Sequence, residues 1–160
     1  MPNGYVIYDG PSLHNGERII MIALTSKSSN SKTGAMMQTY IITPHNPMYA
    51  SKHGLDDANC GNCPHRGIPT DDPNRKQAKD RKCYVKLFQG VYQVWKQWEK
   101  GAYPMLQGHD ALATLGQDKD VRIGTYGDGG LVPSYICDSL ISKARKHTAY
   151  CHQYDNPNSS

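Results

Sequence analysis

The chain has 160 residues, of which 38% are hydrophobic and 20% charged, with a formal net charge of +4 when the histidines are neutral. This length is typical of one domain with its own core, and the mild positive charge suits an anionic ligand or nucleic acid without selecting either. No apolar run is long enough to span a membrane and residues 1–8 lack a signal-peptide pattern, so we expect a cytoplasmic protein.

The first half of the chain has the patterns of a small β-sheet. Asn15-Gly16 is a strong hairpin signal, because a tight hairpin turn needs residues that tolerate positive φ. The run that follows, over 18–25, is apolar on both faces and is therefore expected to be a central strand. The predicted elements are strands over 5–8, 18–25 and 35–43, a loop over 26–34 and a short helix over 47–52 that ends at Gly54.

The second half alternates between strand and helix patterns. The clearest helix is amphipathic, with Val91, Val94, Trp95 and Trp98 at helical spacing and Gly101 as its stop. The other predicted elements are strands over 83–88, 121–126 and 148–154, and helices over 110–115 and 133–145. Such alternation implies parallel strands joined by crossover helices. We expect an α/β fold, with a small partly parallel sheet or partial barrel, flanking helices and a long metal-binding loop over 54–82. The single domain would cover 1–154, and 155–160 would be a disordered tail.

Three cysteines dominate the chemistry of the sequence. Cys60 and Cys63 form a Cys-Gly-Asn-Cys turn whose two sulfurs can converge on one metal, and Cys83 could add a third ligand. Without a signal peptide, this pattern favours metal binding or redox chemistry over a structural disulfide. An iron–sulfur cluster and zinc both fit three thiolates with one further position. The candidates for the fourth ligand are His53, His65, Cys137 and His152, of which His152 is favoured.

Polar residues near strand ends are the candidates for catalysis and substrate binding. Asp128 follows a predicted strand beside glycines, and His152 lies in or after the last one, so parallel strands would bring both to one rim. We therefore take Asp128 and His152 as candidate catalytic residues. Lys32, Arg122 and Tyr126 are the candidates for binding an anionic substrate. Six basic residues surround the cysteines and could contact phosphate or nucleic acid: Arg66, Arg75, Lys76, Lys79, Arg81 and Lys82.

Several short motifs together resemble a family of small phage- and bacterium-encoded proteins of unassigned function. They are N-x-K-T-G at 30–34, M-Q-T at 37–39, C-G-x-C-P-x-R at 60–66, C-Y-V at 83–85, Y-P at 103–104, R-x-G-x-Y-G-D at 122–128 and Y-x-H-Q at 150–153. The order is also distantly similar to radical-SAM-like phage proteins. That similarity implies a small barrel-like α/β fold around a three-cysteine cluster in a bacterial host. It makes SAM a candidate cofactor, although the Cys-x3-Cys-x2-Cys signature is absent, since the gaps here are two and nineteen residues.

The sequence leaves three hypotheses. The first is an enzyme-like iron–sulfur or metal protein that acts on an anionic small molecule or nucleotide. The second is a zinc-stabilised module that binds nucleic acid or a host protein through the basic loop around the cysteines. The third is a Cys pair that is simply buried or redox-active. The sequence does not name a reaction, and zinc and iron–sulfur stay open at this point.

Overall fold

A computed structural model of the protein describes residues 3–25, 36–61, 63, 65–83 and 87–149. Its strands are β1 (Gly4–Pro11), β2 (Arg18–Leu24), β3 (Met37–Ile42), β4 (Asp120–Tyr126) and β5 (Lys146–Ala149). Its α-helices are α1 (Pro47–Lys52), α2 (Asp57–Cys60), α3 (Tyr92–Glu99), α4 (His109–Gly116) and α5 (Ser134–Ile141). A π-helix over Leu87–Val91 leads directly into α3, and a 3₁₀ turn over Gly129–Leu131 follows β4.

In the described part of the chain, the strands form one mixed sheet in the order β1-β2-β3-β4-β5. β2 is antiparallel to both β1 and β3, whereas β3, β4 and β5 run parallel. The predicted α/β class, with a partly parallel sheet and flanking helices, is therefore confirmed. The connections between the parallel strands carry the helices, as crossover connections require.

Two apolar clusters lie on opposite faces of the sheet. Residues Ile19 to Ala23 of β2 are all 0% exposed, which confirms the central strand predicted from its two apolar faces. On one face, β3 and β4 pack against α4 and α5, through Met37, Ile41, Val121, Ile123, Leu112, Ile136 and Leu140. On the other face, the π-helix and α3 cover β2 and β3, through Ile20, Ile22, Ile42, Leu87, Val91 and Val94.

The predicted strand over 83–88 is wrong where the structure describes it. Cys83 lies in irregular chain, residues 84–86 lie outside the described residues, and Leu87 opens the π-helix. The segment is helical because Leu87 and Val91 continue the buried stripe that Val94 forms on α3. Side-chain packing at helical spacing thus overrides the β-propensity of the run.

Other predicted elements differ mainly at their ends. The hairpin forms, but six residues rather than two separate β1 from β2, and of Asn15 and Gly16 only Gly16 has a positive φ, of 76°. The helix predicted over 133–145 ends at Ile141. The last strand is described over Lys146–Ala149, and its predicted continuation to 154 lies outside the described residues, as do the loop over 26–34 and the tail over 155–160.

Among the helices that the structure describes, none combines the length and apolar composition needed to cross a membrane.

Candidate metal centre and its surroundings

The first cysteine ends a helix that sequence analysis did not predict. α2 is a single turn, and the chain leaves it through Gly61, whose φ of 53° lies in the left-handed region. The Cys63 amide then donates to the Cys60 carbonyl at 3.1 Å, which closes the turn between the two cysteines. The Cys-x-x-Cys segment is therefore a compact turn at a helix end rather than an extended loop.

Hydrogen bonds bring the third cysteine back to this turn. The amides of Lys82 and Cys83 both donate to the His65 carbonyl at 3.1 Å, only two residues after Cys63. Between these points, Ile68 and Lys79 exchange two backbone hydrogen bonds of 2.7 and 2.8 Å, so the intervening chain closes on itself. The chain that separates Cys63 from Cys83 in sequence thus forms a loop whose two ends are hydrogen-bonded to each other. Cys83 therefore lies beside Cys60 and Cys63.

The electrostatics of the thiols confirm that they share one neighbourhood. Burial raises the pKa of Cys60 well above its ordinary value, and the charges of Asp56, Cys63 and Cys83 raise it further. Burial also raises the pKa of Cys63, with additional contributions from Cys83 and Asp128. Because charged neighbours act only over short distances, these residues surround a common region. None of the three cysteines forms a disulfide bond in the described structure.

The region contains the type of ligand atoms that a metal needs, but these atoms are not arranged as a formed metal site. Three thiols are the ligands that zinc and iron–sulfur clusters use. Within the described residues, however, no three His, Cys, Asp or Glu side chains are arranged so that they could hold one metal ion. The sulfurs would have to move towards one another to share a metal.

Arg66 is the residue that sequence reasoning undervalued. Its guanidinium binds Asp56 at 2.8 Å and Asp57 at 3.0 Å, and it also donates to the carbonyls of Gly61 and Gly54. Asp56 is 5% exposed and Arg66 is 20% exposed, so the pair is largely removed from water. Arg66 therefore ties the helix before Cys60 to the chain after Cys63. Its position in the C-G-x-C-P-x-R motif was the available signal, but the sequence could not show its partners.

Two of the candidate residues at the end of β4 lie next to the cysteines. The Asp128 amide donates to the Asn59 carbonyl at 2.9 Å, and the buried Asp128 carboxylate accepts from the Gly130 amide at 2.8 Å. Tyr126 is also buried, and its pKa is raised well above the ordinary value by burial, then by the charges of Cys60 and Asp56. The structure thus brings Asp128 and Tyr126 to the cysteine region.

Gly127 makes this approach sterically feasible. Its φ is 85°, and a Cβ atom there would lie 2.6 Å from the Ile41 carbonyl oxygen and 3.2 Å from that of Asn59. Only glycine accepts both the left-handed conformation and the close backbone. The end of β4 can therefore pass directly over β3 and reach α2, which carries Cys60.

The remaining candidates are spread more widely. Arg122 lies four residues before Tyr126 on β4 and is half-buried. His53 and His65 are exposed. The Cys137 thiol lies on α5, where burial first, and then Asp138 and Asp128, raise its pKa to about 12. The predicted catalytic His152 and the predicted substrate-binding Lys32 lie outside the described residues.

Comparison with known proteins adds no relative to this picture: no protein-family model, no curated protein and no solved structure matches the chain.

Proposed function

We propose that this chain is a metalloprotein in which Cys60, Cys63 and Cys83 bind zinc or an iron–sulfur cluster. The observation that carries the proposal is the pair of hydrogen bonds to the His65 carbonyl, which hold Cys83 beside the Cys60–Cys63 turn. Cys63 and Cys83 belong to neither apolar cluster, whereas Cys60 packs against the cluster that the π-helix covers, so packing alone does not account for the three thiols.

The charge balance of the region supports a bound cation. Deprotonated, the three thiols would repel one another and the nearby Asp56, and burial already raises the pKa values of Cys60 and Cys63. A metal cation would reverse this balance by stabilising thiolates, and its binding would release protons to the solvent. The inward movement of the sulfurs would then be part of metal binding.

The proposed activity is enzyme-like and uses the residues at the end of β4. A bound metal or cluster with an open position would polarise a substrate or exchange an electron with it. Asp128 would act as an acid or base beside Cys63, and His152 is its proposed partner. Arg122, Tyr126 and Lys32 would bind an anionic small molecule or nucleotide. The resemblance to phage and bacterial proteins supports action in the cytoplasm of a bacterial host, with SAM as a ligand to be tested.

The test is metal analysis of protein purified without oxygen, together with its visible absorption spectrum. We expect bound zinc or iron at a defined ratio to protein in the wild type, and loss of it in Cys83→Ala. Cys137→Ala is the matched control, because it removes a free thiol on α5 and should keep the metal. Iron with sulfide and colour would favour an electron-transfer or radical-type enzyme. Zinc without colour would favour a structural centre.

Metal-free protein from the anaerobic preparation would contradict the proposal. So would a Cys83→Ala variant that retains as much metal as Cys137→Ala does.

The alternative function, a zinc-stabilised module for nucleic acid or a host protein, is favoured by an exposed column of rings along α1 and the residues that flank it. His45, Tyr49 and His53 are all exposed, and successive ring centroids lie 6.3 and 4.4 Å apart. The Lys52 carbonyl accepts from the Thr70 amide at 2.9 Å, which joins α1 to the basic segment over 66–82. Exposed rings beside positive charge are typical of proteins that stack the bases of single-stranded nucleic acid.

This alternative is tested with single-stranded RNA and DNA oligonucleotides. Tyr49→Ala should weaken binding by about tenfold or more, since stacking of one base on an aromatic side chain contributes about 1–3 kcal/mol to the binding free energy. Tyr135→Ala is the matched control, because Tyr135 is 63% exposed on α5. Binding should also weaken steeply with salt. Binding that is absent, insensitive to salt or equal in the two variants would remove the alternative.

A further inference from the structure

We propose that Gln38 and Arg122, on the sheet face that carries Tyr126, form an anion site that binds the phosphate group of the substrate. The inference deepens the proposed function and rests on it, because it defines the substrate class of the same protein. It concerns a different set of side chains from the cysteines, and it can therefore be tested separately from metal binding.

The strand register places the two residues side by side. Gln38 on β3 pairs with Arg122 on the parallel strand β4, so both side chains rise from the same face of the sheet. That face is the one on which Tyr126 and Cys60 lie. Gln38 is 6% exposed, and in the described part of the chain its Nε2 has no hydrogen-bond partner. A buried amide donor without an acceptor is costly, and an anion oxygen would supply that acceptor.

A bulge in β4 adds a hydroxyl to the same spot. The register shifts between Gln38 and Tyr40, and Gly124 within the shifted stretch has a φ of 76°. The Thr39 hydroxyl holds the bulge by donating to the Arg122 carbonyl and accepting from the Gly124 amide, both at 2.8 Å. As a result the Thr125 hydroxyl turns towards Gln38 and donates to its Oε1. This bond fixes the amide so that Nε2 is the end left without a partner.

The charges around the site favour an anion. Burial raises the pKa of the Tyr40 hydroxyl, and the positive charge of the nearby Arg122 guanidinium offsets only part of this rise. On the other side of β4, Lys146 and Thr148 of the exposed strand β5 pair with Asp120 and Arg122. The Asp120 carboxylate is already bound by the Arg145 guanidinium, at 2.9 and 2.7 Å. Arg122 and Lys146 both lie on this face of the sheet and contribute positive charge to it.

The site is connected to the cysteines along β4. Arg122 and Tyr126 are four residues apart, which corresponds to about 13 Å or somewhat less across a bulge. Tyr126 pairs with Tyr40 on β3, and the charge of Cys60 acts on its hydroxyl. The π-helix lies above, where a Cβ at Gly90 would be 3.3 Å from the Tyr40 hydroxyl. Tyr40 and Tyr126, which the π-helix covers, therefore lie between Arg122 and the thiols.

The test is calorimetric binding of pyrophosphate to the protein as purified, with citrate as a second titrant that separates phosphate from carboxylate recognition. Gln38→Glu keeps the size of the side chain, places a carboxylate beside Arg122 and should weaken pyrophosphate binding at least tenfold. Gln117→Glu is the matched control, because it makes the same charge change at an exposed position after α4 and should bind as the wild type does. Arg122→Lys should fall between these two.

No pyrophosphate binding by the wild type, or equal binding by Gln38→Glu and Gln117→Glu, would overturn the proposal. The second of these results would mean that Gln38 only orders Thr125. Tighter binding of citrate than of pyrophosphate would overturn the assignment to phosphate. Metal content measured on the same samples separates the two proposals, because Gln38→Glu should keep its metal whether or not the anion site exists.

Discussion

The sheet and the cysteine segment, residues 54–83, are held together by different forces. In β2, five consecutive apolar residues are 0% exposed, from Ile19 to Ala23. In the described part of the cysteine segment, the buried apolar side chains are the small ones of Ala58 and Ala78, while Leu55 and Ile68 are exposed. The buried polar side chains there are Asp56 and Asn59. Polar contacts with Arg66 and hydrogen bonds of the backbone take the place of an apolar core.

This difference bears on function. Apolar burial is not directional, so the sheet should keep its structure whatever happens at the cysteines. Hydrogen bonds and ion pairs depend on geometry and charge, so the cysteine segment should respond to protonation, to salt and to a metal. The sheet is thus the stable part of the structure, and the cysteine segment is the part that a ligand can reorganise.

The largest expected effect is the difference in stability lost when one apolar side chain is truncated in each region. Met21→Ala removes a side chain that is 0% exposed at the centre of the sheet and should lower the free energy of unfolding by about 2–5 kcal/mol. Ile68→Ala in the cysteine segment removes one that is 58% exposed and should cost less than about 0.5 kcal/mol. Urea titrations followed by circular dichroism measure both. Equal losses would mean that the two regions are not held differently.

The next effect concerns the ion pair that holds the cysteine segment. Arg66→Ala would leave Asp56 buried without its cation, and we expect a loss of about 3 kcal/mol in the stability of the segment. Arg75→Ala is the matched control, since Arg75 meets Asp72 only at 3.7 Å and both side chains are largely exposed. Its loss should be below about 1 kcal/mol. Limited proteolysis within 66–82 would detect the difference, and identical cleavage rates in the two variants would contradict this account.

The smallest effect is a pair of opposite pH dependences. Hydrogen bonds from Arg18 lower the pKa of Asp9, whereas burial raises the pKa of Asp56 despite its bonds to Arg66. Asp9 therefore stabilises the protein above its unfolded pKa of about 3.9, and this contribution disappears as the pH falls through its lowered folded pKa. Asp56 has the opposite sign, because its ionised form is disfavoured by folding. Its penalty disappears as the pH falls from the raised folded pKa towards the unfolded value.

The sign difference is measured by comparing the wild type with Asp9→Asn and Asp56→Asn in urea titrations between about pH 3 and pH 7. The stability advantage of the wild type over Asp9→Asn should shrink on acidification. Its advantage over Asp56→Asn should grow. The same trend in both pairs would mean that burial of Asp56 does not dominate over its pairing with Arg66.

Sequence patterns were sufficient for most of the fold because apolar periodicity reports burial directly. The two-sided apolar run of β2 and the helical stripe of Val94, Trp95 and Trp98 both lie where their patterns placed them. The run over 83–88 failed because its residues favour strands locally, whereas Leu87 and Val91 pack at helical spacing. Packing partners that are distant in the sequence decided that case.

The cysteine region was predictable only in part. The spacing of Cys60 and Cys63 indicates a turn, but nothing in the sequence shows that the His65 carbonyl brings Cys83 to it. The partners of Arg66 were equally hidden, since Asp56 and Asp57 look like two of many loop acids. The pairing of Gln38 with Arg122 required the strand order, because the two residues lie far apart in the chain.

The most direct test of the contrast between the two regions is amide hydrogen exchange with and without a metal chelator. We expect the chelator to speed exchange at the amides of Ile68, Lys79 and Cys83, which are hydrogen-bonded within the cysteine segment. Exchange at Ile20 and Ile22 in β2 should stay unchanged. Unchanged exchange in the cysteine segment, or equal acceleration in both regions, would contradict the account of a stable sheet beneath a metal-dependent segment.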